Sequence, residues 1–208
     1  MKRVICAILA VFFMSCSIQA FAANSGEILF RNIPWGITLD EFVGKLESEG
    51  FVISSVDTGP ILNVNLPHIN NGMGCRVFFG EEGTGAICKV AGYDVCQIVV
   101  MSICNINDGE IDTNYKNCVV YSAGYVLSNE QGLTPCPEST EKDLLGKLSH
   151  LYGEYSSPFD GYYEWNGENK TKVLFISPLI LYADYGIEKH IEELERILYL
   201  GTNDLSGL

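Results

Sequence analysis

The chain has 208 residues with 26 acidic and 13 basic side chains, giving a formal charge of -13, and 47% of its residues are hydrophobic. That apolar content excludes a disordered chain and is enough for one sizeable core. The shortage of clustered Lys and Arg argues against nucleic acid and anionic lipid as partners.

The amino terminus reads as an export signal. Lys2 and Arg3 precede the uncharged run Val4 to Met14, and Ala20-Phe21-Ala22 supplies the small side chains a signal peptidase accepts. We expect residues 1–22 to be the signal peptide and cleavage to fall between Ala22 and Ala23. Lipid attachment at Cys16 is the rival reading, and it meets bulky residues, Phe13 and Met14, just before the cysteine. The mature chain 23–208 is expected to be periplasmic or secreted, with no transmembrane segment. Losing Lys2 and Arg3 makes it more acidic still.

Cleavage would leave Cys75, Cys88, Cys96, Cys104, Cys118 and Cys136. An even number in an oxidising compartment suits three disulfides, and the absence of Cys-x-x-Cys spacing argues against a redox pair or a zinc knuckle. Six cysteines permit about 15 connectivities. Strand patterning suggests Cys75 with Cys88 across a hairpin and Cys104 with Cys118 at the base of a polar loop. Cys96 with Cys136 follows by elimination, and buried free thiols are the alternative.

In chain order, Thr38-Leu39-Asp40-Glu41 forms a capping box before a helix whose buried side carries Leu39, Phe42, Val43 and Leu46, with Gly50 as its stop. Runs at 51–56, 61–66, 75–79, 86–90, 95–103 and 118–127 read as an antiparallel meander. After Pro135-Cys136-Pro137, Ser139 or Thr140 can cap a second helix that buries Leu144, Leu145, Leu148 and Leu151 and ends at Gly153. Tyr162 to Trp165 and Lys170 to Ile176 flank Asn166-Gly167 as a hairpin, and a further strand at 179–185 follows Ser177-Pro178. Ile187, Ile191, Leu194 and Leu198 mark a third helix, with Glu188, Glu192, Glu193 and Glu195 on its solvent side.

This order predicts an α+β fold: antiparallel sheet with two or three amphipathic helices packed on one side. The segments Glu41-Phe-Val-Gly-Lys-Leu46 and Asp143-Leu-Leu-Gly-Lys-Leu148 match in register. The chain 23–208 is therefore either a single domain or two repeats of a helix-plus-meander unit, 23–134 and 135–208.

The opening Ile33-Pro-Trp-Gly-Ile-Thr-Leu-Asp-Glu-Phe42 and the later Leu151-Tyr-Gly-Glu154 resemble small bacterial envelope proteins of the SmpA/OmlA type. A tandem form of a similar unit occurs in the β-lactamase-inhibitor protein. The resemblance implies a non-catalytic module that contacts another protein. The six cysteines depart from it.

No catalytic, metal or cofactor motif stands out. His68, His150 and His190 are far apart without acidic or His partners at ligand spacing, and there is no Gly-x-Ser-x-Gly elbow. Residues 105–112 gather oxygen ligands, but Gly109 is misplaced for an EF-hand, so a polar hairpin loop is the better reading. Glu81 and Glu82 read as solvated acids in a turn. A carboxylate pair for glycan or peptidoglycan hydrolysis stays open as the enzymatic alternative. The remaining feature is aromatic: Tyr152, Tyr155, Phe159, Tyr162, Tyr163 and Trp165 lie close in sequence. Tyr155, Tyr163 and Trp165 are the candidate binding residues for a protein, a small molecule or a carbohydrate. The function expected is that of an exported, disulfide-stabilised binding or envelope accessory protein. Its oligomeric state is left open.

Overall fold

The structure is a computed structural model, and it describes residues 26–58, 74–80, 85–128 and 136–202. The expected signal peptide with Cys16, the strand at 61–66, His68, and the acids Glu81 and Glu82 lie outside the described residues. Helix α1 is Leu39–Ser48, α2 is Glu138–Tyr152 and α3 is Glu188–Thr202. The strands are β1 Ile53–Asp57, β2 Gly74–Phe79, β3 Cys88–Val90, β4 Tyr93–Ile103, β5 Ile106–Asn107, β6 Glu110–Ile111, β7 Val119–Leu127, β8 Ser156–Phe159, β9 Tyr162–Asn166, β10 Thr171–Ile176 and β11 Leu179–Asp184. Helices and antiparallel sheet together make the α+β fold the sequence predicts.

Helix α1 starts because Thr38 satisfies the first turn: its hydroxyl accepts from the Glu41 N–H at 3.3 Å, while the Glu41 carboxylate accepts from the Thr38 N–H at 3.4 Å. It stops where Gly50 takes φ +93°, a conformation a side chain resists. Helix α2 begins differently from expectation. Its N-cap is Pro137, and Ser139 and Thr140 lie inside the first turn, with the Thr140 and Glu141 amides both bonded to the Pro137 carbonyl. Proline needs no capping side chain here because its fixed φ already directs the chain into the turn.

One antiparallel sheet runs in the order β1-β2-β4-β7-β11-β10-β9-β8, with β3 paired to β4 beside β2. The order has an internal symmetry. Helix α1 is followed by lanes β1, β2 and β3, β4, β7 running from the edge to the centre. Helix α2 is followed by β8, β9, β10, β11 from the other edge to the centre, and β7 and β11 meet. The two helical segments that match in sequence also match in burial. Phe42 and Leu144 are fully buried, and so, within one per cent, are Leu46 and Leu148. Helices α1 and α2 cover the same face, over Val77, Val100, Ala123, Val173 and Ile180.

Helix α3 takes the opposite face. Ile191 and Leu194 pack with Ile103 and Tyr121, beside Met101 and Val119; the Leu198 side chain lies outside the described residues. Among the described residues no helix is long and apolar enough to cross a membrane.

Two local expectations change and a third holds. First, β2 and β3 are not a hairpin. Both pair with β4 on the same side, β2 along Ile98–Ile103 and β3 along Tyr93–Val95, so they lie end to end. Cys75 therefore faces Ser102 and Cys88 faces Val95. Second, β9 and β10 do form the expected hairpin, but Asn166-Gly167 is not a two-residue turn: the loop runs through residue 170, with Asn169 and Lys170 at positive φ. Gly167 is small because a Cβ would lie 2.6 Å from the Ile28 side chain and 2.7 Å from the Thr171 hydroxyl. Third, residues 105–112 close a miniature hairpin, β5 with β6, turned by Asp108 and Gly109.

Candidate functional site

The aromatic segment is gathered as its spacing suggested, but by the core as much as by the surface. Alternation along β9 places Tyr163 and Trp165 on one face, and that face is the one the helices cover. Tyr163 stacks on Phe175 at 6.1 Å, and Tyr155 meets Tyr163 and Trp165 edge-on at 5.2 and 5.6 Å. Trp165 is completely buried, and its indole N–H donates to the Gly153 carbonyl at 3.1 Å. It is thus a core anchor beneath the cluster and no part of a binding surface.

What remains accessible is Tyr155, 43% exposed, and Phe159, 62% exposed. Phe159 rests against Tyr162 at 4.5 Å across the Asp160-Gly161 turn, at the tip of the hairpin that forms one edge of the sheet. The Asp-Gly pair was the available signal for a ring displayed at a turn.

A second site lies between α3 and the sheet, where sequence reasoning placed nothing. A cavity of about 200 Å3 is walled by Met101, Tyr121, Leu181, Ala183, Ile187 and Ile191, with Ser122, Asp184, Tyr185 and Glu188 completing its lining. Asp184 caps the 3-10 turn Tyr185–Ile187, accepting the Gly186 N–H at 2.7 Å. Burial raises the pKa of its carboxyl, and the Gly186 hydrogen bond only partly opposes this.

The lysines nearby are engaged elsewhere: Lys170 with Glu188 at 2.5 Å, and Lys172 with Glu164 at 3.5 Å while lying 4.8 Å over the Tyr185 ring. Among the described residues no Lys or Arg forms an ion pair with Asp184. Burial also raises the pKa of the Tyr121 phenol. The arrangement suits a small ligand with an apolar body and a hydrogen-bond-donating or cationic end.

Asp184 and Glu188 both line this cavity, and the enzymatic alternative needs an acid pair. The cavity walls are largely aliphatic, however, without the rows of polar groups that sugar hydroxyls require, and Glu188 is already paired with Lys170. The oxygen-rich loop is also self-contained. The Asp112 carboxylate accepts from Asn107 Nδ2 at 2.7 Å, Asn117 Nδ2 at 2.8 Å and the Asn114 amide at 2.8 Å, and those donors hold its pKa down. Among the described residues no three His, Cys, Asp or Glu side chains gather as a metal site. His190 is turned to the Cys104 carbonyl, 2.8 Å from its Nε2, and His150 lies in the last turn of α2.

The cysteines divide between the two ends of β4. At one end the Cys118 thiol donates to Cys104 Sγ at 4.0 Å, and Cys75 faces Ser102, two residues before Cys104. At the other end Cys88 faces Val95, and Cys96 directs its thiol to the Val126 carbonyl at 3.5 Å. Cys136 donates its N–H to the Ser177 hydroxyl, one residue before the Pro178 whose carbonyl accepts from Leu127, itself opposite Val95. No known protein family, curated protein or solved structure matches the chain.

Proposed function

We propose that the chain is an exported, non-catalytic accessory protein of the cell envelope, or a secreted one, that binds another protein through its edge hairpin. The observation that carries this reading is the display of two exposed rings at that hairpin: Phe159 at its turn, resting on Tyr162, and Tyr155 leading into β8, resting on the half-buried Tyr163 and the buried Trp165 of the other face. Rings held by a rigid core lose little freedom on binding, which is why Tyr and its relatives dominate contact surfaces. The net acidity favours a basic partner surface. The repeated order of helix and meander supports the resemblance to tandem envelope modules.

The test is capture of partners from the native envelope or medium by the tagged chain, compared with a Tyr155→Ala, Phe159→Ala double variant. Both rings are exposed, so the variant folds, and partner recovery is expected to fall at least tenfold. Undiminished recovery would remove the hairpin from the proposal.

The α3 cavity favours a second reading, in which the protein also carries a small amphiphilic amine. The ammonium would meet Asp184 and the hydrocarbon would lie among Met101, Leu181 and Ile191. Hexylamine is expected to raise the melting temperature of the parent and not of Asp184→Asn, while hexanol distinguishes mere filling of the cavity. Equal responses of parent and variant to the amine would refute it.

A further inference from the structure

Of the cysteine pairings the sequence suggests, the sheet forbids one and brings another together. Cys75 lies opposite Ser102 and Cys88 opposite Val95 on the same strand. At roughly 3.3 Å per residue those positions are about 23 Å apart, whereas a disulfide holds its Cα atoms within about 7 Å. Cys104 and Cys118 are each the next residue outward from the paired Ile103 and Val119, and the Cys118 thiol meets Cys104 Sγ at 4.0 Å. Residues directly opposed in an antiparallel pair have Cα atoms about 4.5–5.5 Å apart, within a disulfide's reach. Each of these two cysteines also anchors a helix through its own carbonyl, on opposite faces of the sheet. The Cys118 carbonyl accepts from the N–H of Leu39, the first residue of α1, at 2.7 Å. The Cys104 carbonyl lies 2.8 Å from His190 Nε2 on α3. The loop they bracket touches both helices: Lys116 reaches Asp40 of α1 at 3.2 Å, and Ile106 and Ile111 pack against the cluster that holds Ile191 and Leu194 of α3.

We propose that Cys104 and Cys118 form a disulfide clasp that closes the loop 105–117 and holds α3 down over the Asp184 cavity, whatever that cavity binds. Ile187 and Ile191, which α3 and the turn before it contribute to the cavity wall, move with the helix. Cys104 reacts first, because it is half-buried while Cys118 is only 1% exposed, and the hydrogen bond from Cys118 lowers the Cys104 pKa. Its thiolate attacks one sulfur of a small disulfide oxidant such as glutathione disulfide, breaking the oxidant's S–S bond, forming a mixed disulfide and expelling one glutathione thiol. Cys118, giving up its proton, then attacks Cys104 Sγ and expels the second. The chain loses two protons and two electrons, and the oxidant leaves as two thiols. Without the bridge, the carbonyl under His190 and the carbonyl over Leu39 are joined only through non-covalent contacts, and α3 can open as a local unit. With it, the anchor of α3 is tied to the anchor of α1 through the sheet.

The experiment compares the purified full chain equilibrated with glutathione disulfide and with dithiothreitol. Disulfides are mapped after trapping with N-ethylmaleimide at low pH and digestion without reduction, and amide hydrogen exchange is followed peptide by peptide. We expect a Cys104–Cys118 linked peptide from the oxidised chain. The α3 amides of that chain should exchange at least tenfold more slowly than in the reduced chain, while the α2 amides change less than twofold. The Cys104→Ser, Cys118→Ser double variant should show the α3 exchange of the reduced parent under both conditions. Should that variant fail to fold, the oxidised and reduced parent decide the matter between them. Absence of the Cys104–Cys118 link from the oxidised chain, or a link from either residue to another cysteine in its place, would overturn the disulfide. With the link present, unchanged α3 exchange, or equal slowing of α2 and α3, would overturn the clasp.

Discussion

Asp184 shows how one residue's surroundings set a measurable property of the whole chain. Burial raises its folded pKa above the unfolded carboxylate value of about 3.9. The native state therefore holds this proton more tightly than the unfolded state does. The stability tied to it is fully present below pH ~4 and is lost as the pH rises through the folded pKa. Asp184→Asn keeps an oxygen to accept the Gly186 amide and removes the charge. Melting temperatures of parent and variant from pH 4 to 7 should therefore diverge in the variant's favour as the pH rises. Parallel curves would mean the carboxylate is solvated. Gly124 is a second residue read from its surroundings. A Cβ there would lie 2.7 Å from the Ile180 carbonyl oxygen, a backbone atom of the adjacent strand that cannot step aside. Gly124→Ala should cost about 1–3 kcal/mol in urea unfolding by overpacking, and an unchanged midpoint would show that the two central strands can part.

At the level of elements, the helices were legible because their signals are local. The Thr38–Glu41 box, the 3.6-residue spacing of buried residues and the glycine stops act within a few residues of one another, so no distant contact is needed to read them. The same locality makes a prediction. Gly44 and Gly146 occupy matching positions inside α1 and α2, with no heavy atom within 4 Å of an added Cβ. Alanine at either position should stabilise by roughly 0.5–1 kcal/mol, because glycine loses more freedom on folding. The two gains should add in thermal or chemical unfolding, since the helices sit in different units. The longer strands were legible as segments while β8 was not, and the β9–β10 hairpin was legible in its pairing while the β2–β3 one was misread. Nothing in Cys75 to Phe79 or Cys88 to Val90 reveals that β4 is long enough to accept both end to end, and the hairpin expected between them follows from nearest-neighbour habit alone. Gly167 was likewise legible as a break, while its physical cause, the approach of Ile28 from far along the chain, was not.

For the whole molecule, the central β7–β11 pair and the shared layer under α1 and α2 join the two helix-plus-meander units into one core. Each unit contains one tryptophan: Trp35 stacks on Phe42 in the first, and Trp165 is buried in the second. Trp35→Phe and Trp165→Phe variants give a separate fluorescence report from each unit. The transition seen by fluorescence should coincide with that seen by circular dichroism in each variant, because neither unit buries its central strand alone. Two separated transitions within either variant would show that the units fold independently. The α3 cavity belongs to this scale too. Its walls come from β4, β7, β11 and α3, segments up to 90 residues apart between Met101 and Ile191, so no window of sequence could have displayed it.

The amino-acid sequence by itself determined the α+β class, the three described helices with the capped start of α1 and the glycine stops of α1 and α2, most of the longer strand segments and the likeness of the two helical motifs. All of these rest on interactions between near neighbours. Tertiary structure decided which strands share a lane, that Trp165 faces the core while Phe159 faces solvent, and that α3 closes a cavity around Asp184. It also decided that the six cysteines from Cys75 to Cys136 divide between the two ends of β4. Pairing, burial and sulfur-to-sulfur reach depend on distances between residues far apart in the chain, and only the assembled sheet sets those distances.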